Sequence, residues 1–281
     1  MRNIFLILLV LGISCSEKKQ VESNTSKVDH SEVEEGLGAE IFDNKSLGEV
    51  SNASIGQGKG LMQKGGVANG SNKPDKYLIG DLDFSTDEYF GKVPDEFATK
   101  TIYIRKEALA KFLEMAKEAK KDGVSLVIVS GARSFSHQRS IWERKWNAST
   151  IEDPVDRAKE LLKFSSMPMT SRHRWGTDID INNLENEYFE SGKGLKEYQW
   201  LVENASKFGF CQVYSDKKVA NRKGYEMEKW HWSYMPLSEN LLNRYLKEMN
   251  IHDISGFTGS EVAQEINVIE TYVKGIHKCK F

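Results

Sequence analysis

The sequence predicts an α+β fold in a single domain, and three observations point that way. Stretches with apolar residues three and four apart read as helices, and short runs rich in β-branched and aromatic residues read as strands. The two kinds do not follow the strict βαβ alternation of a doubly wound sheet. The chain has 281 residues, a formal net charge of -2 and 39% hydrophobic residues. That balance gives neither a strongly basic nucleic-acid surface nor a chain disordered throughout, and the length suits one ordinary domain with extensions. No nucleic-acid partner is expected, and the protein is expected to be a monomer.

The extensions lie at the start. MRNIFLILLVLGISC carries one basic residue, an apolar run from Ile4 to Ile13, and then Ser14 and Cys15. This is the layout of an export signal and is too short to span a bilayer. A cysteine directly after the apolar core resembles the lipobox of bacterial lipoproteins, in which that cysteine is acylated, although Gly12 stands where the strict motif prefers leucine. Residues 1–15 are therefore expected to be a lipoprotein-type signal peptide. Cys15 would carry the lipid that anchors the exported protein to a membrane of the cell envelope, facing the periplasm or at the outer membrane. Residues 16–75 are charged and polar, then crowded with Gly, Asn and Ser. Without a sustained apolar face such a segment cannot offset the entropy of ordering, so it reads as a disordered tether.

The folded domain is expected over residues 76–281. YLIGDLDF brings apolar residues back at Tyr77, with Gly80 interrupting them. IRKEALAKFLEMAKEAKKDG places Leu109, Phe112, Leu113 and Ala116 on one helical stripe, with basic residues late and Gly123 at the stop. VSLVIVSG reads as a buried strand, and HQRSIWERKW and PVDRAKELLKF as two helices, the second opened by a proline. GKGLKEYQWLVENASKFGF carries Leu195, Tyr198, Leu201 and Ala205 along one helix face and ends at Gly209. GFCQVY and KWHWSY read as strands, and LSENLLNRYLKEM and SEVAQEINVIETYVKGI as closing helices. Cys211 and Cys279 could pair in an oxidising compartment. Cys211 lies in an apolar run, however, and a buried free thiol is the expectation.

Chemistry concentrates in SRHRWGTDID and EKWHWSY. Zinc accepts imidazole nitrogen and carboxylate oxygen, and a catalytic zinc site keeps three protein ligands and one open place. His173, Asp180 and His231 meet that requirement. Gly176 lets the chain turn so that TDIDI runs back as a strand past His173. Alternation then puts Asp178 and Asp180 on one face and Thr177, Ile179 and Ile181 on the other. Asp178 is thus a rival ligand or a supporting partner, unless it faces solvent or accepts from Arg172 or Arg174. Glu228, three residues before His231, could take a proton from a metal-activated water, help worth about 10² to 10⁴ in rate. Trp230 and Trp232 flank His231, one fit for the core and one for a cleft wall. Arg133, in SGARS at a strand exit, could stabilise an oxyanion or bind a carboxylate. An interdomain or surface salt bridge is its ordinary alternative.

These motifs resemble the zinc D-alanyl-D-alanine carboxypeptidases of the VanY and VanX type, whose signature reads SxHxxGxAxD followed by ExWH. Ser171, His173, Gly176 and Asp180 fill the first motif, and Glu228, Trp230 and His231 the second. Asp178 departs from it, standing where the family has a small apolar residue. The resemblance spans residues 77 to 236 and implies a small central antiparallel sheet that carries the zinc site, flanked by helices. It implies zinc ligation by His173, Asp180 and His231, Glu228 as base and then acid, and Arg133 at the tetrahedral intermediate. Gln138 and Ser171 match substrate-contacting residues of the family, and Trp230 is taken as a cleft residue beside them. The implied substrates are the D-Ala-D-Ala ends of peptidoglycan stem peptides. An endopeptidase cutting L-alanyl-D-glutamate or another stem bond, and a non-catalytic wall-binding lipoprotein, are the alternatives.

Overall fold

A computed structural model describes residues 75–279. The expected signal peptide, the lipid site Cys15 and the tether up to residue 74 lie outside the described residues. No helix among the described residues is long and apolar enough to cross a membrane.

Among the described residues six α-helices and six short strands follow in order, with 3-10 and π turns between them: α1 Lys76–Ile79, β1 Phe90–Lys92, β2 Tyr103–Arg105, α2 Lys106–Lys121, β3 Ile128–Ser130, α3 Phe135–Ala148, α4 Pro154–Leu161, β4 Asp178–Ile181, α5 Gly192–Asn204, β5 Phe210–Cys211, β6 His231–Tyr234 and α6 Met235–Glu248. β1 and β2 make an antiparallel pair. The other four strands form one antiparallel sheet in the order β3-β4-β6-β5.

The sheet has one apolar face. Ile128, Ile179, Ile181, Phe210, Trp232 and Tyr234 pack there against Phe112 and Met115 of α2 and Trp200 and Leu201 of α5. Each side chain removed from water in this way contributes roughly 1.5–3 kcal/mol. The stripe of α2 lies slightly off the expected one: Ala108, Phe112, Met115, Ala116 and Ala119 are buried, while Leu109 and Leu113 are half-buried on its flank. Asp122 caps α2 and Gly123 follows at φ 73°. Ser134 and Asp153 cap α3 and α4 by accepting from the backbone N–H groups of His137 and Asp156. A second apolar cluster, with Trp142, Trp175, Tyr214, Tyr225 and Tyr245 fully or nearly buried, lies apart from the first.

Three expectations need correction. The strands at VSLVIVSG and GFCQVY are only three and two residues long; their remaining apolar residues, such as Leu126 and Val213, are buried by packing without a sheet partner. SEVAQEINVIETYVKGI is not a regular helix. It forms a 3-10 turn at Ser260–Val262 and one π-helical turn at Ile269–Val273, with Asn267 at φ 54° between them. Val262, Ala263, Ile266, Val268, Tyr272, Val273 and Ile276 are all buried, and on one straight helix they would spread around more than half its circumference.

Cys211 is not a free thiol. It is bonded to Cys279, with Cα atoms 6.0 Å apart across a sequence separation of 68. The pairing is possible because the C-terminal segment folds back on β5, where the His277 backbone N–H donates to the Val213 carbonyl at 2.8 Å. On the chain-entropy account, closing a loop of this length is worth about 4 kcal/mol. Cys279→Ser should therefore lower the urea unfolding midpoint and make it insensitive to reductant, whereas the wild-type midpoint should fall when reductant is added. An unshifted wild-type midpoint would contradict a stabilising bridge.

Candidate metal centre

Register builds the site. In the β4–β6 pair Asp180 stands opposite His231 and Asp178 opposite Ser233, so both acids share a face with the histidine while Ile179 lies in the apolar cluster behind. His173 arrives from a 3-10 turn, Arg172–Trp175, that Gly176 ends at φ 68°. A Cβ on Gly176 would come within 2.2 Å of the Phe90 ring, so only glycine permits this turn to pack on β1.

The three expected ligands converge. One nitrogen or oxygen from each of His173, Asp180 and His231 lies within 4.8 Å of the others, and all three residues are buried. His231 Nδ1 is 3.0 Å from Asp180 Oδ1, and His173 Nε2 is 3.3 Å from Asp180 Oδ2. Each imidazole has its other nitrogen engaged. His173 Nδ1 is 2.8 Å from the Gly131 carbonyl, and His231 Nε2 is 3.0 Å from Asp178 Oδ2. The Gly131 carbonyl can only accept, which places the proton of neutral His173 on Nδ1 and leaves Nε2 as a lone pair without a hydrogen-bond partner. A buried lone pair facing a carboxylate and a second imidazole is the donor set of a divalent ion site, and these residues fit one.

Asp178 takes the supporting position. Its Oδ2 accepts from Arg172 Nε at 2.8 Å and faces His231 Nε2; its Oδ1 accepts from Ser233 Oγ at 2.9 Å and Thr177 Oγ1 at 2.8 Å. With both oxygens engaged, it fixes the ring of His231 from behind. Arg172, itself fully buried, also donates to Ser233 Oγ at 2.8 Å. Tyr214 closes the other side, its ring centroid 4.5 Å from that of His231.

The charges are set by these contacts. Burial pushes Asp180 up, but the two histidines outweigh it and hold its carboxyl well below the usual range. Asp178 is likewise held low, against burial, chiefly by Arg172 and His231. Burial opposes the charged form of His231, yet the two aspartates raise it to about 9. His173 is pulled down by burial and by Arg133. Burial pushes Glu228 up to about 7.

Glu228 and Arg133 border the cluster. Glu228 Oε2 lies 3.6 Å from His231 Nδ1, and its backbone is pinned on both sides, N–H to the Tyr214 carbonyl at 2.9 Å and carbonyl to Gln212 Nε2 at 3.0 Å. Arg133 Nη2 is 3.5 Å from Asp180 Oδ2, and its Nη1 donates to Gln138 Oε1 at 2.9 Å. Gln138 in turn donates to the Ser166 carbonyl at 2.7 Å, so its amide holds Arg133 in place. Ser171 is buried, and its carbonyl accepts from Arg174 Nη1 at 2.6 Å. Of the two tryptophans, Trp232 packs in the core, whereas Trp230 sits 6.4 Å from the ring of half-exposed Phe164.

Sequence reasoning did not find the Gly131 carbonyl, Ser233 or Tyr214. Ser233 could have been read, since it is two residues beyond His231 and so on the same face of β6. Gly131 and Tyr214 carry no signal of their own; only tertiary packing brings them here.

The VanY family, described as D-alanyl-D-alanine carboxypeptidase, matches residues 101–237. The Bacillus subtilis (strain 168) protein named "Putative carboxypeptidase YodJ" is 32% identical over 177 residues, 62% of this chain and 59% of its own length. A D-alanyl-D-alanine carboxypeptidase of Enterococcus faecium is 29% identical over 151 residues, 53% of this chain and 42% of that one. This chain thus spans less than two thirds of either relative. Among solved structures, a variant of the vancomycin-resistance D,D-pentapeptidase VanY in complex with Zn(II) is 22% identical, with a TM-score of 0.41, covering 61% of this chain and 93% of that one. Through residues 101–237, which hold the whole cluster from Gly131 to Ser233, the chain carries a domain of the VanY family, the D-alanyl-D-alanine carboxypeptidase family.

Proposed function

We propose that the protein is a zinc-dependent carboxypeptidase that hydrolyses the terminal D-Ala-D-Ala bond of peptidoglycan stem peptides. The observation that carries this reading is the convergence of His173 Nε2, an Asp180 oxygen and His231 Nδ1 beside Glu228 and Arg133. Two imidazoles and one carboxylate are a donor set that zinc favours, and three protein ligands leave room for water or substrate. The family match and the Enterococcus faecium relative supply the substrate class.

Zinc, when bound, polarises the scissile carbonyl and brings the pKa of a water molecule down to about 7. The chain's own residues do the rest. Glu228, anchored through its backbone, takes the proton of the attacking water and passes it to the departing amine. Arg133, fixed by Gln138, donates to the carbonyl oxygen as negative charge builds on it. Asp178 and the Gly131 carbonyl hold the two imidazoles in their ligating orientation. Acylation at Cys15 and export would place this chemistry at the cell wall, where such stem peptides lie.

Glu228→Gln should keep its zinc while the release of D-alanine from a D-Ala-D-Ala peptide, followed by mass spectrometry, falls by about 10² to 10⁴. Full activity would remove Glu228 as the base, and cutting of an internal stem bond without free D-alanine would make the protein an endopeptidase instead. His173→Ala and His231→Ala should lose zinc by elemental analysis; unchanged stoichiometry would refute the ligand assignment. Asp178→Asn leaves the ligands in place and should weaken zinc by about 10- to 100-fold in chelator competition.

A further inference from the structure

Glu228 stands on a stretch of backbone that regular structure does not hold. Residues 221–230, which lead into β6, belong to no helix or strand. The carboxylate is not gripped directly either: it comes to 3.6 Å from His231 Nδ1, outside hydrogen-bond reach, and among the described residues it accepts no hydrogen bond. Its place therefore depends on what holds residues 227–229.

One side chain straddles the base. Asn186 Nδ2 donates to the Met227 carbonyl at 2.8 Å, and Asn186 Oδ1 accepts from the Lys229 N–H at 3.0 Å. These partners fix which end of the amide is which, because a carbonyl can only accept and a backbone N–H can only donate. A single planar group thus bonds the residue before Glu228 and the residue after it, as the backbone of a neighbouring strand would.

The same clamp links the base to the candidate ligands. Asn186 opens a 3-10 turn, Asn186–Glu190, that follows β4, the strand of Asp180. The turn is firmly seated, for Phe189 is fully buried with its ring 6.2 Å from that of Tyr198 on α5. Tyr198 in turn donates through its hydroxyl to Gln212 Oε1 at 2.9 Å, and the Gln212 amide bonds the Glu228 carbonyl. The connection from β4 to α5 reaches the base by two routes, and Asn186 is the direct one.

We propose that Asn186 is a positioning residue for the hydrolysis: by bridging Met227 and Lys229 it sets the distance and angle at which Glu228 faces the attacking water. This rests on the carboxypeptidase reading and deepens it. Both hydrogen bonds of Asn186 go to backbone, so its loss should be felt in the chemical step and not in substrate binding.

The test uses a tripeptide ending in D-Ala-D-Ala with the zinc-loaded protein and its Asn186→Ala and Asn186→Leu variants, the second filling the same space without an amide. In both, kcat for D-alanine release should fall about 10- to 100-fold, the effect of a base displaced by up to about 1 Å. KM, zinc content and the thermal unfolding midpoint should stay close to the wild type. The Lys229 amide hydrogen should exchange faster in each variant, which reads the clamp without turnover. In a Glu228→Gln background the same substitutions should cost almost nothing in residual turnover, since a residue that acts through the base has no effect once the base is gone. A wild-type kcat, an equal loss with Glu228 already replaced, or a loss matched by lower zinc content or a lower unfolding midpoint would overturn the assignment. A wild type that releases no D-alanine would instead remove the carboxypeptidase reading, and this inference with it.

Discussion

The site depends on the register of β4 against β6. Because Asp180 pairs with His231 and Asp178 with Ser233, two acids and an imidazole meet on one face of a sheet whose other face is apolar. A slip of one residue would turn Ile179 and Ile181 toward the site and both aspartates into the cluster of Phe112, Trp232 and Leu201. Burying carboxylates unpaired among such side chains costs far more than any single contact in the domain contributes. The register is thus enforced from behind by the core, and the geometry of the candidate ligands follows from ordinary hydrophobic packing.

The polar layer needs its own balance. Arg172 and Asp178 are both fully buried and bonded to each other, a pair whose desolvation cost can match or exceed its attraction. What the pair contributes is orientation. With Asp178 holding Nε2 and Asp180 facing Nδ1, His231 has one nitrogen anchored and one directed into the cluster. Asp178 replaces the small apolar residue expected at its position, so this chain supports its histidine with a carboxylate and then neutralises that carboxylate with Arg172. The extra acid is a paired structural charge, which leaves Asp180 as the carboxylate that faces both imidazoles.

The sequence made the site more legible than the fold around it. Spacing and alternation located His173, Asp180, His231 and Glu228, because a strand of period two and a glycine turn leave few ways to bring such side chains together. Asp178 stayed ambiguous, since alternation shows which face a residue occupies but not whether its oxygens are already engaged. The strands proved shorter than their apolar runs because hydrophobicity marks burial, and burial at Leu126 or Val213 comes from packing without a ladder. The last helix failed for a related reason: apolar residues around most of a circumference are satisfied by a wrapped segment, and Asn267 accommodates the left-handed turn that wrapping requires. The bridge between Cys211 and Cys279 was hidden because nothing local shows that a distant tail folds back.

That tail bears on the candidate metal centre through packed rings. Tyr272 lies 5.2 Å from Tyr225, Tyr225 lies 4.8 Å from Tyr214, and Tyr214 lies 4.5 Å from His231. The disulfide joins the same segment to β5 one position from Gln212, whose amide holds the Glu228 carbonyl. Residues beyond 237 fall outside the family match, yet they complete the wall behind a candidate ligand and the support behind the candidate base. Close-packed interiors transmit displacement because they contain little free volume. The position of His231 is therefore fixed from two directions, by hydrogen bonds in the plane of its ring and by aromatic packing across it, and the second of these originates in the C-terminal segment.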